Sequence, residues 1–166
     1  MTSKNIFDKV YNDFFKDVYS YFSLCFDIDT AEDLTQQTFL GVWRFMKEKD
    51  SLPFSNTRAF VFRCAVNVKN DYLRRKQARP KESRLEASML FGYTYSHQTT
   101  QQIAVGEALK ALDFEDRDVL LLKNMGLSSS DIGKAYGISA SAARSKLSKA
   151  RLAFRKELEK QGVNIE

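Results

Sequence analysis

LSSSDIGKAYGISASAARSKLSKARLAFR, residues Leu127–Arg155, sets the character of this chain. It reads as short helical segments about a tight corner, running out into a long basic helix. Ser128, Ser129 or Ser130 can cap the first segment, because a hydroxyl oxygen there accepts from an unpaired first-turn amide. Ile132, Ala135 and Tyr136 supply its apolar face. Gly133 is small where a second helix would cross closely, and Gly137 can take the left-handed conformation that ends a helix. Ile138 pins the corner into the core. Ser139 then caps a helix in which Ala143, Leu147, Ala150 and Phe154 recur at i, i+4, i+7 and i+11.

The opposite face of that helix carries Arg144, Ser145, Ser148, Arg151 and Arg155, with Lys146 and Lys149 at its flanks. Seven basic residues and no acidic one fall from Ile132 to Lys156. A helix face that meets only water usually mixes signs, so one-sided charge points to a polyanion. The whole has the pattern of a helix-turn-helix, whose second helix lies in a DNA major groove.

A chain of 166 residues fits one ordinary domain or two small ones. Hydrophobic residues at 43% and charged residues at 28% describe a folded, soluble protein. Seven Gly and two Pro leave few breaks, and apolar residues recur mostly at helical spacing. The fold class is therefore all-α. The formal net charge of +5 permits a polyanionic partner without demanding one. Residues 1–80 carry 13 basic and 10 acidic side chains and residues 81–166 carry 13 and 11, so local clustering is the informative quantity. Cys25 and Cys64 are isolated and read as buried thiols in a reducing compartment. His97 is the single histidine, and without a second ligand pair no metal site or cofactor is expected. No apolar run is long enough for membrane insertion, and a cytoplasmic location is expected.

From Asn5 to Phe22 one stripe holds Phe7, Tyr11, Phe14, Val18 and Phe22, widened by Phe15 and Tyr19. Thr30 and Asp33 have the spacing of a capping box opening a second helix. Leu34, Thr38, Val42 and Phe45 form its inward face. A second stripe, Asp33, Gln36, Gln37, Leu40 and Trp43, mixes a carboxylate and amides with large apolar groups, the composition of a protein interface. After a loop at residues 50–55, Asn56 or Thr57 caps a long helix with Val61, Ala65, Val68 and Tyr72 inward. Arg63, Asn67, Asn70 and Arg74 make a parallel polar stripe, of residue types that read base edges. Seven bases against one acid, Asp71, run from Arg63 to Lys81. Residues 81–101 are a polar linker by composition, interrupted by an apolar island at 89–95. A helix with Ala104, Ala108, Leu109 and Leu112 follows, and Asp113 caps the next, which Gly126 ends.

Two blocks of this sequence resemble the extracytoplasmic-function group of bacterial sigma factors. The first pairs AEDLTQQTFLGVW with TRAFVFRCAVNVKNDYLRR, and the second is LDFEDRDVLLLKNMGLSSSDIGKAYGISASAARSKLSKAR. The resemblance covers nearly the whole chain and implies two small helical domains joined by a linker. Residues 1–80 would bind core RNA polymerase and the minus-ten element, and residues 102–166 would bind the minus-thirty-five element. Asp33, Gln36 and Gln37, on the stripe with Leu40 and Trp43, would hold the coiled-coil clamp of the largest polymerase subunit. Arg63, Asn67, Asn70, Arg74 and Arg75, with the loop 47–55, would engage the minus-ten element. There a base flipped from the melted non-template strand would sit in a pocket. On double-stranded promoter DNA, Ser141, Arg144, Ser145 and Lys146 would lie nearest the bases, and Lys149 and Arg151 on phosphates. The helix containing Val119 and Leu122 would face the polymerase flap tip or an anti-sigma factor. Three positions depart from the pattern: Gln37 replaces a frequent Glu, Val66 a common Arg, and Phe114 a usual Pro.

The alternative expectation is a stand-alone helix-turn-helix repressor or activator, which has no need of the Asp33/Gln36/Trp43 surface. An enzyme is not expected. No Ser/His/Asp, Cys/His, phosphate-loop or metal-ligand set is present, and any chemistry would belong to the polymerase.

Overall fold

Thr2 opens the fold by capping the first helix, its hydroxyl oxygen accepting from the Asn5 amide at 3.3 Å. The structure, a computed structural model, describes residues 2–52, 56–78 and 100–163. Among these are seven helices and no strand: α1 (Ser3–Ser23), α2 (Ile28–Lys49), α3 (Thr57–Gln77), α4 (Thr100–Ala111), α5 (Phe114–Asn124), α6 (Ser129–Tyr136) and α7 (Ala140–Lys160). They fall into two compact units, α1–α3 and α4–α7. Most of the expected linker, with its island at 89–95 and His97, lies outside the described residues, as do residues 53–55. The last two residues assigned to that linker, Thr100 and Gln101, belong to α4.

In the first unit Val10, Val18, Tyr21 and Phe22 are the buried residues of α1. Phe7 and Phe14 are only half-buried and Tyr11 is exposed. The N-terminal half of the expected stripe instead forms a ring cluster with α2. Phe7 meets Trp43 edge-on at 5.1 Å, and Tyr11 meets Phe39 at 4.9 Å. The expected capping box at Thr30 is not formed. Helix α2 starts earlier, with Asp27 at the N-cap and its carbonyl accepting from the Ala31 amide at 2.8 Å. Thr30 therefore lies inside the first turn, and Asp33 accepts from Gln37 Nε2 at 2.5 Å instead.

The α2 core row is Leu34, Thr35, Thr38, Phe39, Val42 and Met46. Its two buried hydroxyls would be costly in an apolar core without partners. Thr35 donates to the Ala31 carbonyl at 2.6 Å and Thr38 to the Leu34 carbonyl at 2.8 Å, which removes that cost. Asn56 is the cap of α3, accepting from the Ala59 amide at 3.2 Å. Phe45 packs on Phe60 across the α2–α3 seam at 4.6 Å. The buried row of α3 is Val61, Phe62, Ala65, Val66 and Lys69, one step round from the expected one. Val68 and Tyr72 are half-buried.

In the second unit Ala104 and Ala108 face the core, and Leu112 closes α4. Asp113 occupies the N-cap of α5 without a side-chain hydrogen bond. Arg117 reaches back to the end of α4, donating to the carbonyls of Leu109 at 2.9 Å and of Lys110 and Leu112 at 3.3 Å. A cation on the carbonyls that end a helix is favourable for the same reason that basic residues suit helix C-termini.

The corner forms as its residue types dictate. Ser128 and Asp131 make a reciprocal capping box, with the Asp131 amide donating to Ser128 Oγ at 3.1 Å and the Ser128 amide to Asp131 Oδ2 at 3.3 Å. Gly137 takes φ +68°, and the next amide, Ile138, donates to the Gly133 carbonyl at 2.8 Å. Ser139 caps α7, accepting from the Ala142 amide at 3.0 Å. Ala143, Leu147 and Ala150 are buried, Phe154 is half-buried, and Leu158 adds one more turn to the core row.

A Cβ at Gly133 would lie 2.7 Å from the Ile138 carbonyl oxygen, which is backbone and cannot swing aside. Gly133→Ala is therefore expected to destabilise the second unit by about 1–3 kcal/mol, less up to about 1 kcal/mol regained from helix propensity. Thermal unfolding measures it, and an unchanged or raised midpoint would show that the corner relaxes freely.

Candidate nucleic-acid and partner interfaces

Three faces remain once the core is assigned. The first is on α7. Ser141, Arg144, Ser145, Ser148, Lys149, Arg151 and Arg155 are all exposed, as the sequence led one to expect. Their backbone is fixed by the Ser139 cap at one end and by the buried Ala143/Leu147/Ala150 row along its length. Lys146 is placed differently. It sits about 160° round the helix from Arg144, since each residue advances the helix by about 100°. It is half-buried there, and its Nζ lies 2.9 Å from Glu115 Oε2 on α5. Its charge is thus answered within the unit. So exposed a pair contributes at most about 1 kcal/mol to stability, but it fixes where the cation points.

The second face is on α3. Arg63, Asn67, Asn70 and Arg74 fall within an arc of about 60°. Three of them line a shallow hollow of about 630 Å³ together with Asp71, Leu73 and Gln77. Arg74 is ion-paired to Asp71. Arg75, expected beside these residues, sits about 100° round from Arg74 and borders a different pocket. Two further residues of the basic stretch are not surface groups. Lys69 is 1% exposed, so its ammonium is unavailable to a polyanion. Val66, at the position where Arg is common, is fully buried and reads nothing. Cys64 neighbours Arg63, and burial pushes its thiol from an ordinary 9.0 up to about 11, with the Arg63 charge pulling weakly the other way. The thiol is therefore protonated near neutral pH and a poor nucleophile.

The third face is the α2 stripe. Asp33, Gln36, Gln37 and Leu40 are exposed, Leu40 by 52%. Trp43 is half-buried against Phe7, with Lys47 Nζ 5.4 Å from its ring centre. The stripe is divided by its neighbours. Gln36, Leu40 and Trp43 line an apolar groove of about 510 Å³ shared with Phe7 and Tyr11 of α1. Asp33 and Gln37 instead line a smaller pocket of about 220 Å³ shared with α3. Sequence spacing placed these five on one helix face. The division needs knowledge of which helix flanks each side.

Among the described residues no group of three or more His, Cys, Asp or Glu side chains is arranged to hold a metal ion. No described helix is long and apolar enough to cross a membrane. An amide and apolar face, an Asn/Arg face and a basic helix-turn-helix point to a DNA-binding protein with a protein partner.

Comparison with known families decides between such proteins. The model of sigma-70 region 2 matches residues 10–79, and that of sigma-70 region 4 matches residues 102–154. The chain belongs to the sigma-70 family, in its extracytoplasmic-function group. This sigma factor is 27% identical over 143 residues to the probable RNA polymerase sigma-C factor of Mycobacterium bovis. It has the same identity to the ECF RNA polymerase sigma factor SigC of Mycobacterium tuberculosis, and each match covers 82% of this chain and 74% of the relative. Two solved structures share its fold. Sigma factor RpoE of Bartonella quintana, solved with the anti-sigma factor NepR, superposes with a TM-score of 0.69 at 21% identity. That match covers 92% of this chain and 96% of RpoE. CnrH, solved with the cytosolic domain of CnrY, superposes at 0.64 and 20% identity, covering 94% of this chain and 89% of CnrH. The sigma factor binds core RNA polymerase and promoter DNA and directs transcription initiation. Sigma factor families are not enzymes.

Proposed function

We propose that the two units divide promoter recognition between them, with boundaries near 1–80 and 102–166. The α2 stripe of Asp33, Gln36, Gln37, Leu40 and Trp43 meets core polymerase. The α3 face of Arg63, Asn67, Asn70 and Arg74, with residues 47–52 at the end of α2 and just beyond it, engages the minus-ten element and its melted strand. The α7 face reads the minus-thirty-five element through Ser141, Arg144 and Ser145, while Lys149 and Arg151 hold phosphates. Lys146 contributes field more than contact, because Glu115 holds it on the far flank. The observation that carries this reading is the separation of chemistry within one small unit. Exposed Leu40 beside half-buried Trp43 suits a protein partner, whereas the Asn/Arg face on the neighbouring helix suits nucleic acid. The polymerase supplies the chemistry, and the factor acts in the cytoplasm. One structural relative, RpoE, is solved with an anti-sigma factor, and we extend that form of regulation to this chain.

Single substitutions on α7 test the assignment. Arg144→Ala is expected to weaken discrimination at one minus-thirty-five position by about 1–3 kcal/mol, as loss of a bidentate base contact does. Arg151→Ala is expected to weaken binding evenly across sequences and to reduce the salt slope by about one, as loss of a phosphate contact does. Selection of promoters from a randomised pool by the holoenzyme measures both. An unchanged preference with Arg144→Ala would move the reading face elsewhere.

A further inference from the structure

Helix α7 carries a large apolar side chain on its outer face. Leu152 is 56% exposed, the most open of the large hydrophobic residues among those described. An exposed leucine is by itself ordinary on a protein surface. The surroundings of this one are not. At about 100° per residue, Ser145 and Leu152 point almost directly away from the buried Ala143/Leu147/Ala150 row. With Ser141 and Ser148 they form an exposed ridge about 60° wide, of which Leu152 is the apolar member. Cations flank that ridge on both sides. Arg144, Arg151 and Arg155 fall within about 40° on one side, and Lys149 and Lys156 within about 20° on the other. All five are exposed, and none of them enters an ion pair among the described residues.

We propose that Leu152 reads a thymine of the minus-thirty-five element through the C5-methyl group of the base. The inference rests on the reading that α7 lies in the major groove, and it adds an apolar reader to the polar and basic ones. Charge complementarity selects the occupant. The major groove is about 12 Å wide and has phosphates along both walls, which answers a ridge with cations on both flanks. The apolar group that its floor presents is the thymine methyl, and the ridge presents one apolar side chain to it. A protein surface that buried Leu152 would have to desolvate Lys149, Arg151, Arg155 and Lys156 as well, or supply acids to meet them. Leu152 stands two turns beyond Ser145, about 10 Å along the helix axis. Its thymine is accordingly expected about three base-pair steps from the pair that Ser145 faces.

The test uses the full chain with core polymerase, and a promoter selected by that holoenzyme from a pool randomised across the minus-thirty-five window. Each thymine of the preferred sequence, on either strand, is replaced in turn by deoxyuridine, which lacks the methyl and keeps every hydrogen-bonding group. The unsubstituted protein is expected to lose about fourfold in promoter affinity at one such position, the worth of one buried methyl. Leu152→Ala is expected to lose a similar factor on the thymine promoter and to be indifferent to deoxyuridine at that position. Leu152→Met, which keeps an apolar tip, is expected to retain the sensitivity. The salt slope should not change with Leu152→Ala, in contrast to Arg151→Ala. Leu152 stands outside the core row, so its variants are expected to melt with the unsubstituted protein. Selected sequences without a preferred thymine overturn the proposal. So does a Leu152→Ala loss that is equal on thymine and deoxyuridine at every position, or no loss at all. Weaker association of Leu152→Ala with polymerase in the absence of DNA overturns it too, and assigns the residue to a protein surface. Arg144→Ala distinguishes the two levels of failure. If it alters promoter preference while Leu152→Ala shows no coupling to the methyl, only the thymine contact is wrong, and if neither responds, α7 is not the reading helix.

Discussion

Phe62→Ala is expected to bring the first unit to the edge of unfolding while leaving the second intact. Phe62 is fully buried in the α3 core row, and its ring meets Tyr21 of α1 edge-on at 5.9 Å. Truncating a buried Phe costs about 3–5 kcal/mol, the sum of lost transfer energy and the cavity left behind. A single domain is stable by about 5–15 kcal/mol, and one of three helices sits near the lower end because it buries a smaller share of its surface. The substitution therefore removes most of the margin. Denaturant unfolding is expected to show two transitions in the unsubstituted protein, one for each unit. In Phe62→Ala the earlier or later of them, whichever reports α1–α3, should move to much lower denaturant while the other holds its midpoint. Polymerase binding should fall with it. Phe62→Leu, a smaller change in volume, is expected to cost roughly 1–1.5 kcal/mol. Loss of less than about 1 kcal/mol with Phe62→Ala would mean that the core collapses around the gap.

The contrast between α3 and the α6–α7 corner shows what could be read from sequence and what could not. A serine cap within 128–130, Gly133, Gly137 and Ser139 were legible because each acts on its own neighbours, although the pattern alone does not choose among the three serines. A cap bonds an amide two or three residues on, and a left-handed glycine closes the helix it terminates. On α3 the period was legible but the buried arc was not. That arc depends on how many helices lie against it, and both α1 and α2 pack on α3. The expected row of Val61, Ala65, Val68 and Tyr72 is accordingly one step off. Lys69 lies four residues after Ala65 and seven after Phe62, so its spacing carried the signal, which its charge overrode. The start of α2 was misplaced because Thr30 and Asp33 satisfy a spacing rule that Asp27 also leaves room for. Within the candidate sites, the exposure of Asp33, Gln36 and Leu40 and of the α7 arginines was legible as an amphipathic pattern. The Lys146–Glu115 pair was not, since 31 residues separate its members and nothing local links them. The Arg117 contacts with the end of α4 and the two-way division of the α2 stripe were hidden for the same reason.

The isolated protein is expected to bind a promoter fragment weakly and with little sequence preference, and core polymerase is expected to convert this into tight, specific binding that initiates transcription. The α3 and α7 faces belong to separate compact units, and each offers only a few base-reading side chains. Alone, each contact is dominated by phosphate attraction, which salt weakens steeply. Polymerase that engaged both units would fix the distance between the two faces, so that engagement of one promoter element would make engagement of the other effectively intramolecular. Linkage of this kind raises overall affinity by about 10²–10⁴ without any new contact to DNA. The gain should depend on the α2 stripe. Asp33 and Gln36 are exposed and stand outside the core row, so Asp33→Ala/Gln36→Ala should leave the melting temperature close to that of the unsubstituted protein. It should nevertheless abolish most of the polymerase-dependent gain, because the face proposed to meet polymerase then lacks its polar anchors. Fluorescence anisotropy on a labelled promoter, with and without core polymerase, reads both arms, and run-off transcription reads the output. Tight binding of the isolated protein to a palindromic site, indifferent to polymerase and to the double substitution, is the behaviour of a stand-alone repressor and would contradict the assignment of the α2 face. A gain that survives the double substitution in a polymerase-dependent system would instead leave the apolar groove of Leu40 and Trp43 as the anchoring surface, and Leu40→Ala would then be the variant that removes it.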